Sequence, residues 1–158
     1  MYARIIFAMV RFAARKGLAE TRSEISPKQR ARRTGVRGET YAYWYLRRHG
    51  YTLVARNFTW AGVKGEIDMA AYDGPTLAFV EVKTRAPSAP GRATPEEAVD
   101  AEKRRNLARM AQAFLRARHL DSSDCRFDVL AIEARPEASP LVRLHKNAFR
   151  LEHPSHGD

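Results

Sequence analysis

Gly65-Glu66-Ile67-Asp68-Met69-Ala70-Ala71-Tyr72-Asp73-Gly74-Pro75-Thr76-Leu77-Ala78-Phe79-Val80-Glu81-Val82-Lys83-Thr84-Arg85 is the stretch on which the fold turns. Asp73-Gly74-Pro75 is a strong turn signal between two β-rich runs, 65–72 and 76–84, so two strands joined as a hairpin are expected. Side chains alternate across a strand, which puts Leu77, Phe79, Glu81 and Lys83 on one face. An acid and a base two positions apart in an apolar strand are costly to bury. A solvated edge strand, with Lys83 near its exit, is the plainer alternative.

Register narrows the choice. A four-residue loop (73–76) keeps Pro75 out of the ladder and makes partners sum to 149, so that Asp68 faces Glu81 and Glu66 faces Lys83. A two-residue loop (73–74) sets Asp68 opposite Phe79, still on the face of Glu81; only a three-residue loop separates the two acids. Directly opposed side chains lie roughly 4.5–5.5 Å apart at Cβ, where like charges destabilise a sheet. Two carboxylates that close call for a shared proton or a bound divalent cation. Mg2+ takes oxygen ligands and keeps several waters, so two or three acids suffice. Such an ion stabilises phosphate charge and activates water for attack on a phosphodiester, and Lys83 is placed to polarise the phosphate.

Upstream, residues 35–49 have helical spacing, with His49-Gly50 as a stop. Glu39, Ala42, Tyr43 and Leu46 share one face of that helix, so Glu39 points towards apolar neighbours. A first-turn carboxylate favoured by the helix dipole is the plain reading; a third acid for the site is the sharper one. Residues 51–59 read as a strand. Downstream, a Pro/Ala/Gly/Ser-rich loop covers about 86–94, and Thr94-Pro95-Glu96-Glu97 opens a helix running to about 119. Residues 127–132 form a fourth strand and 141–144 an edge strand. The order α-β-β-β-α-β-β gives an α/β class, a mixed sheet flanked by helices.

Charge and composition bound the rest. The 158 residues carry 28 Lys+Arg against 18 Asp+Glu, a net +10, and 44% are hydrophobic, enough for one domain with a real core. Cys125 is the single cysteine, which excludes a disulfide framework and fits a reducing, cytoplasmic setting. Residues 1–33 hold nine basic residues against Glu20 and Glu24, so most of the excess sits in a basic extension expected to be mobile, with Ser23–Pro27 as a linker. Its apolar run Ile5–Val10 is far short of the ~20 residues that span a bilayer, and membrane contact by this segment is not expected. Lys103, Arg104, Arg105 and Arg109 on the second helix are a solvated basic face or a phosphate-backbone contact; Arg85 and Arg92 flank the acids on a loop. Arg126 and Asp128 share a strand face and are expected to form a structural ion pair. The aromatics Tyr41, Tyr43, Trp44 and Tyr45 read as packing. The five histidines show no ligand spacing.

Gly38-Glu39, Gly50-Tyr51, Asn57, Gly65-Glu66-Ile67-Asp68, Phe79-Val80-Glu81-Val82-Lys83-Thr84-Arg85, Lys103 and Arg126-Phe127-Asp128-Val129 resemble the YraN-like family over residues 34–150. This uncharacterised bacterial family is predicted to share the restriction-endonuclease-like fold and to be related to archaeal Holliday-junction resolvases. The resemblance implies a PD-(D/E)xK core, in which Asp68 and Glu81 are the acids, Lys83 is the lysine and Glu39 is the helical glutamate of resolvase-like members. Ile67 stands where the motif name has proline.

The resulting expectation is a 34–152 restriction-endonuclease-like domain with a polar tail at 153–158. Asp68, Glu81 and Glu39 would hold Mg2+ or Mn2+, with Lys83 assisting hydrolysis of DNA, branched or flapped DNA included. Arg85, Lys103 and Arg104 would touch the nucleic acid, and a homodimer follows only by analogy with resolvases. A module that binds nucleic acid without cutting is the rival reading.

Overall fold

In a computed structural model, described for residues 2–17, 27–85, 101–120, 125–135 and 138–149, three helices flank a five-stranded mixed sheet of order β1-β2-β3-β4-β5. Helices α1 (Tyr2–Gly17) and α2 (Pro27–Arg48) precede β1 (Thr52–Phe58), β2 (Ile67–Asp73) and β3 (Thr76–Arg85). Helix α3 (Ala101–Ala117), β4 (Cys125–Glu133) and β5 (Leu141–Phe149) follow. The expected α/β class is therefore observed, in an arrangement consistent with a restriction-endonuclease-like fold. The expected linker at Ser23–Pro27 lies, except for Pro27, outside the described residues. So do the loop at 86–94 with Arg92, the helix start at Thr94-Pro95 and the tail at 153–158.

The hairpin has the register in which partners sum to 149: Met69 pairs Val80, Ala70 pairs Phe79 and Asp73 pairs Thr76. The turn is tighter than a four-residue loop, because Asp73 and Thr76 still pair and leave only Gly74-Pro75 between them. Gly74 takes a positive φ of 61°, which glycine adopts without steric cost. Pro75, lacking an N–H, sits where no ladder donor is needed.

Strands β3 and β4 run parallel, from Leu77–Cys125 to Arg85–Glu133. A parallel neighbour requires a crossover, and α3 lies on that path. Helix α3 packs Leu107, Met110, Ala111, Phe114 and Leu115 against Ala70, Leu77, Phe79, Phe127 and Val129. On the other face, Tyr41, Ala42 and Leu46 of α2 cover Met69, Ala71, Ala78, Val80, Leu130 and Ile132. Phe7 of α1, 3% exposed, joins this second cluster and meets Tyr41 at a ring separation of 5.4 Å. Part of the extension expected to be mobile thus carries a helix seated on α2.

Two elements outrun their expected lengths. Helix α2 begins at Pro27 rather than near 35, because Lys, Arg, Gln and Ala sustain a helix without marking an apolar face. Strand β5 continues to Phe149, past 144, and carries an irregularity between Phe127 and Val129 of its partner. Asn147, at φ 55°, sits in that irregularity, and its N–H donates to Asp128 Oδ1 at 2.9 Å. The side chain of Asp128 thereby replaces a missing ladder acceptor.

Helix α2 ends as the His49-Gly50 signal indicated. The Tyr51 N–H reaches the Leu46 carbonyl at 3.1 Å and the Gly50 N–H reaches that of Arg47 at 3.3 Å, with Gly50 at φ 89°. These are the two bonds of a Schellman cap, and they turn the chain from α2 into β1.

Candidate functional site

Asp68 lies at the start of β2 and Glu81 late in β3, on the sheet face that α3 covers. Both carboxylates are buried, 8% and 4% exposed. Strand pairing between β2 and β3 gives way beside them: the Val82 N–H donates to Asp68 Oδ2 at 2.7 Å instead of to a carbonyl. This bond anchors the Asp68 carboxylate to the third strand, next to Glu81.

Glu81 is held from two directions. Lys83, two residues along the same strand face, donates to Glu81 Oε1 at 2.7 Å. Lys103 reaches the same oxygen from α3, at 3.1 Å. Glu81 Oε2 is buried and has no hydrogen-bond partner among the described residues. A buried carboxylate oxygen without a donor costs roughly 1–3 kcal/mol or more, so an oxygen kept in that state is one to which a cation adds stability.

Burial is the main reason that the Asp68 carboxyl is pushed up to about 7, and the Glu81 charge adds to it. The Val82 N–H and Lys103 pull in the opposite direction without cancelling the effect, and Glu39 pushes upward again. Such a group favours either a proton or a metal ion in place of bare charge. Hard oxygen donors, one of them unpartnered, fit a magnesium-type ion.

Glu39 arrives from the other face of the sheet. Gly38 makes this approach feasible, because a Cβ there would collide with Thr84 Oγ1 of β3. The Glu39 carboxylate accepts from Asn57 Nδ2 at 2.9 Å. Asn57 is flanked by the pairs Arg56–Met69 and Phe58–Ile67, which makes it the strand neighbour of Asp68. It adopts φ 48°, a left-handed conformation that asparagine tolerates better than most residues. Glu39 is therefore fixed at the rim by Asn57. Among the described residues, no three acidic, histidine or cysteine side chains gather as a ready ligand set.

The structure thus brings Asp68, Glu81 and Lys83 together, and it adds Lys103 as a second cation on Glu81. Lys103 was expected on a nucleic-acid face; its contact with Glu81 depends on how α3 crosses the sheet, which sequence spacing does not reveal. Arg85 ends β3, where its carbonyl accepts from the Ala134 N–H at 2.8 Å. Arg104 lies over the Phe149 ring at 5.6 Å. The role of Asn57 in holding Glu39 was also hidden, since nothing local marks a strand asparagine as a partner for a helix 18 residues earlier.

Arg126 and Asp128 form the expected structural pair, and more. The Arg126 guanidinium donates to Asp128 at 2.9 Å, to Asp73 at 2.6 Å and to the Tyr51 hydroxyl at 3.2 Å. Lys146 adds a bond to Asp73 at 2.7 Å. This network ties the hairpin turn to the start of β1 and the end of β5, away from Asp68 and Glu81.

The model of the uncharacterised protein family UPF0102 matches residues 38–132, from the Gly38-Glu39 pair to the end of β4. The chain belongs to this family. The YraN-like resemblance seen in its motifs is borne out by that match. A UPF0102 protein of Symbiobacterium thermophilum is 44% identical over 119 residues, covering 75% of this chain and 98% of the relative. One from Koribacter versatilis is 43% identical over 120 residues, covering 75% and 80%. A UPF0102 protein of Pseudomonas savastanoi is 39% identical over 124 residues, covering 78% and 98%. All four site residues, and Lys103, fall inside the segment that defines UPF0102, whereas α1 falls outside it.

Proposed function

We propose that this UPF0102 protein is a metal-dependent nuclease that hydrolyses phosphodiester bonds in DNA, branched or flapped DNA included. The observation that carries the reading is the buried Glu81 Oε2, without a hydrogen-bond partner among the described residues, beside an Asp68 whose carboxyl resists bare ionisation, with Lys83 two residues along. Asp68 and Glu81 would hold Mg2+ or Mn2+, which when bound neutralises charge on a scissile phosphate and acidifies a water molecule.

The chain's own residues do the rest. The Val82 N–H keeps Asp68 Oδ2 in place and leaves Oδ1 for a ligand. Lys83 screens Glu81 before substrate arrives, and its ammonium can then turn to a non-bridging phosphate oxygen and stabilise the charge that develops there. Lys103 supplies a second such cation from α3. Glu39, steadied by Asn57, offers a carboxylate at the rim to accept a proton from water or join the ligand set. Arg85 and Arg104 extend the positive surface on which a phosphate backbone would lie.

The test is purified protein with Mg2+ or Mn2+ against linear, flapped and four-way DNA. Cleavage that disappears with Asp68→Asn and with Glu81→Gln supports the assignment. Cleavage that survives either change refutes it. Among the described residues no three acids gather as a ready ligand set, which favours, as a second reading, a module that binds nucleic acid without cutting. Salt-sensitive DNA binding with no metal-dependent product would support that alternative.

A further inference from the structure

Helix α1 has two apolar faces, and the core uses only one. Phe7, Val10 and Ala14 face α2. Ile5, Met9 and Phe12, spaced i, i+4 and i+7, form a line on the opposite side and are 56%, 67% and 64% exposed. Three large apolar side chains in a row on one helix face mark a contact surface rather than scattered surface residues. Beside them lies a recess of about 370 Å³ lined by Arg4, Phe7, Ala8, Arg11, Phe12 and Arg48. The Arg48 guanidinium lies over the Phe7 ring at 5.2 Å, so the floor is aromatic and the rim cationic.

From this geometry we infer that α1 is an anionic-membrane docking helix: Ile5, Met9 and Phe12 enter the lipid interface while Arg4, Arg11 and Arg48 hold headgroup phosphates. The apolar run alone argues against a membrane role, since it is far too short to cross one. Lying in the interface has a different requirement, namely an apolar face with a basic flank. No described helix is long and apolar enough to cross a membrane, so the contact is a surface one. Charge selects the occupant. A second copy of this face would bring its own arginine cluster against the first, in a segment already at +7 over residues 1–33. A nucleic acid would gain nothing from the apolar line, while an anionic bilayer satisfies both halves. The helix lies outside the family-matched residues 38–132, so this role is separate from the acid site.

The full chain is to be co-sedimented with vesicles of phosphatidylcholine alone and of phosphatidylcholine with phosphatidylglycerol. Binding to the anionic vesicles only is expected. Met9→Ser with Phe12→Ser should weaken it on the order of tenfold, and each of Arg4→Gln and Arg11→Gln roughly fivefold. These side chains are exposed, and an unchanged circular dichroism spectrum checks that each variant folds. Binding that ignores the Met9 and Phe12 changes would reduce the effect to general polyanion attraction and overturn the proposal. Absence of vesicle binding overturns it as well, as does a dimer in lipid-free solution that the same two changes dissociate.

Discussion

Asp68 accepts its hydrogen bond from the backbone N–H of Val82 at 2.7 Å, so a side chain takes over the place of a ladder carbonyl where β2 and β3 part. The same carboxyl is raised from 3.8 to about 7 by burial and by Glu81. An acid whose folded-state value lies above its unfolded one binds its proton more tightly when folded. The cost to stability therefore begins as pH rises past 3.8 and is complete above about 7. Asp68→Asn keeps an acceptor for Val82 and removes the charge. Without metal, it should stabilise the fold by roughly 1–3 kcal/mol at about pH 8 and by nothing at about pH 4. Thermal unfolding of both proteins at the two pH values checks this, and an equal gain at both would contradict the burial argument. Saturating Mg2+ should stabilise the parent protein at the higher pH and leave Asp68→Asn nearly unchanged.

The contact between Gly38 and Thr84 sets how closely α2 can approach β3. Gly38→Ala places a methyl group against Thr84 Oγ1, and the helix must shift. Overpacking of this kind costs about 1–3 kcal/mol. Because Glu39 is the next residue, the shift should also lengthen or break its bond to Asn57. Thr84 Oγ1 is itself buried without a hydrogen-bond partner among the described residues. Thr84→Val, which keeps the shape and deletes that hydroxyl, should stabilise the protein by up to about 1 kcal/mol. A double-mutant cycle of Gly38→Ala with Thr84→Ala in urea unfolding should show coupling. Strict additivity would mean that the two positions do not meet.

At the other end of the sheet, Asp128 is 0% exposed and pairs with Arg126 while accepting the Asn147 N–H. Asp128→Ala leaves a half-buried guanidinium and a bare backbone donor, a change that costs about 3–5 kcal/mol when a buried pair loses one partner. Asp73, the second carboxylate on Arg126, is held down to about 2, below its usual 3.8, by its bonds to Lys146 and Arg126. That depressed value contributes stability above pH 3.8 which is lost as pH falls through 2. Asp73 is partly exposed, so the contribution is small, and Asp73→Asn should lower stability by under about 1 kcal/mol at neutral pH. Metal affinity measured by calorimetry should be untouched by Asp73→Asn, since the network is remote from Asp68 and Glu81.

Pro75, which excludes itself from a ladder, and the period-two alternation of side chains narrowed the hairpin to loops that keep Asp68 and Glu81 on one face. The choice among loop lengths came only with the pairs Met69–Val80 to Asp73–Thr76 around Gly74-Pro75. The mixed sheet followed from the spacing of strands and one long helix. Lys103 was visible as a basic residue but not as a partner of Glu81, since that contact depends on the crossing of α3 over β3. Asn57 and Asn147 hold positive φ values that nothing in their neighbours announces. The second half of β5 was hidden because His145, Lys146 and Asn147 interrupt the alternation with polar residues, of which Lys146 serves the Arg126 network and Asn147 the bulge. Helix α1 was expected to belong to a mobile extension because little in its sequence marks a packed face: among its described side chains Phe7 is buried and Val10 and Ala14 are partly buried against α2.

Lys103 has two roles that pull in opposite directions. Its ammonium sits 3.1 Å from Glu81 Oε1, so it neutralises a buried acid and also repels any divalent ion that approaches the same carboxylate. Lys103→Gln should therefore destabilise the metal-free protein by about 1–2 kcal/mol, since among the described residues Lys83 alone remains to screen Glu81. It should also tighten Mg2+ or Mn2+ binding several-fold, because one positive charge has left the site. Affinity for DNA in the absence of metal should fall, and the slope of its logarithm against salt should become shallower by about one phosphate contact. Calorimetric titration with Mn2+ and salt-dependent DNA binding separate the effects. Weaker metal binding in the variant would mean that Lys103 organises Glu81 for the ion rather than competing with it.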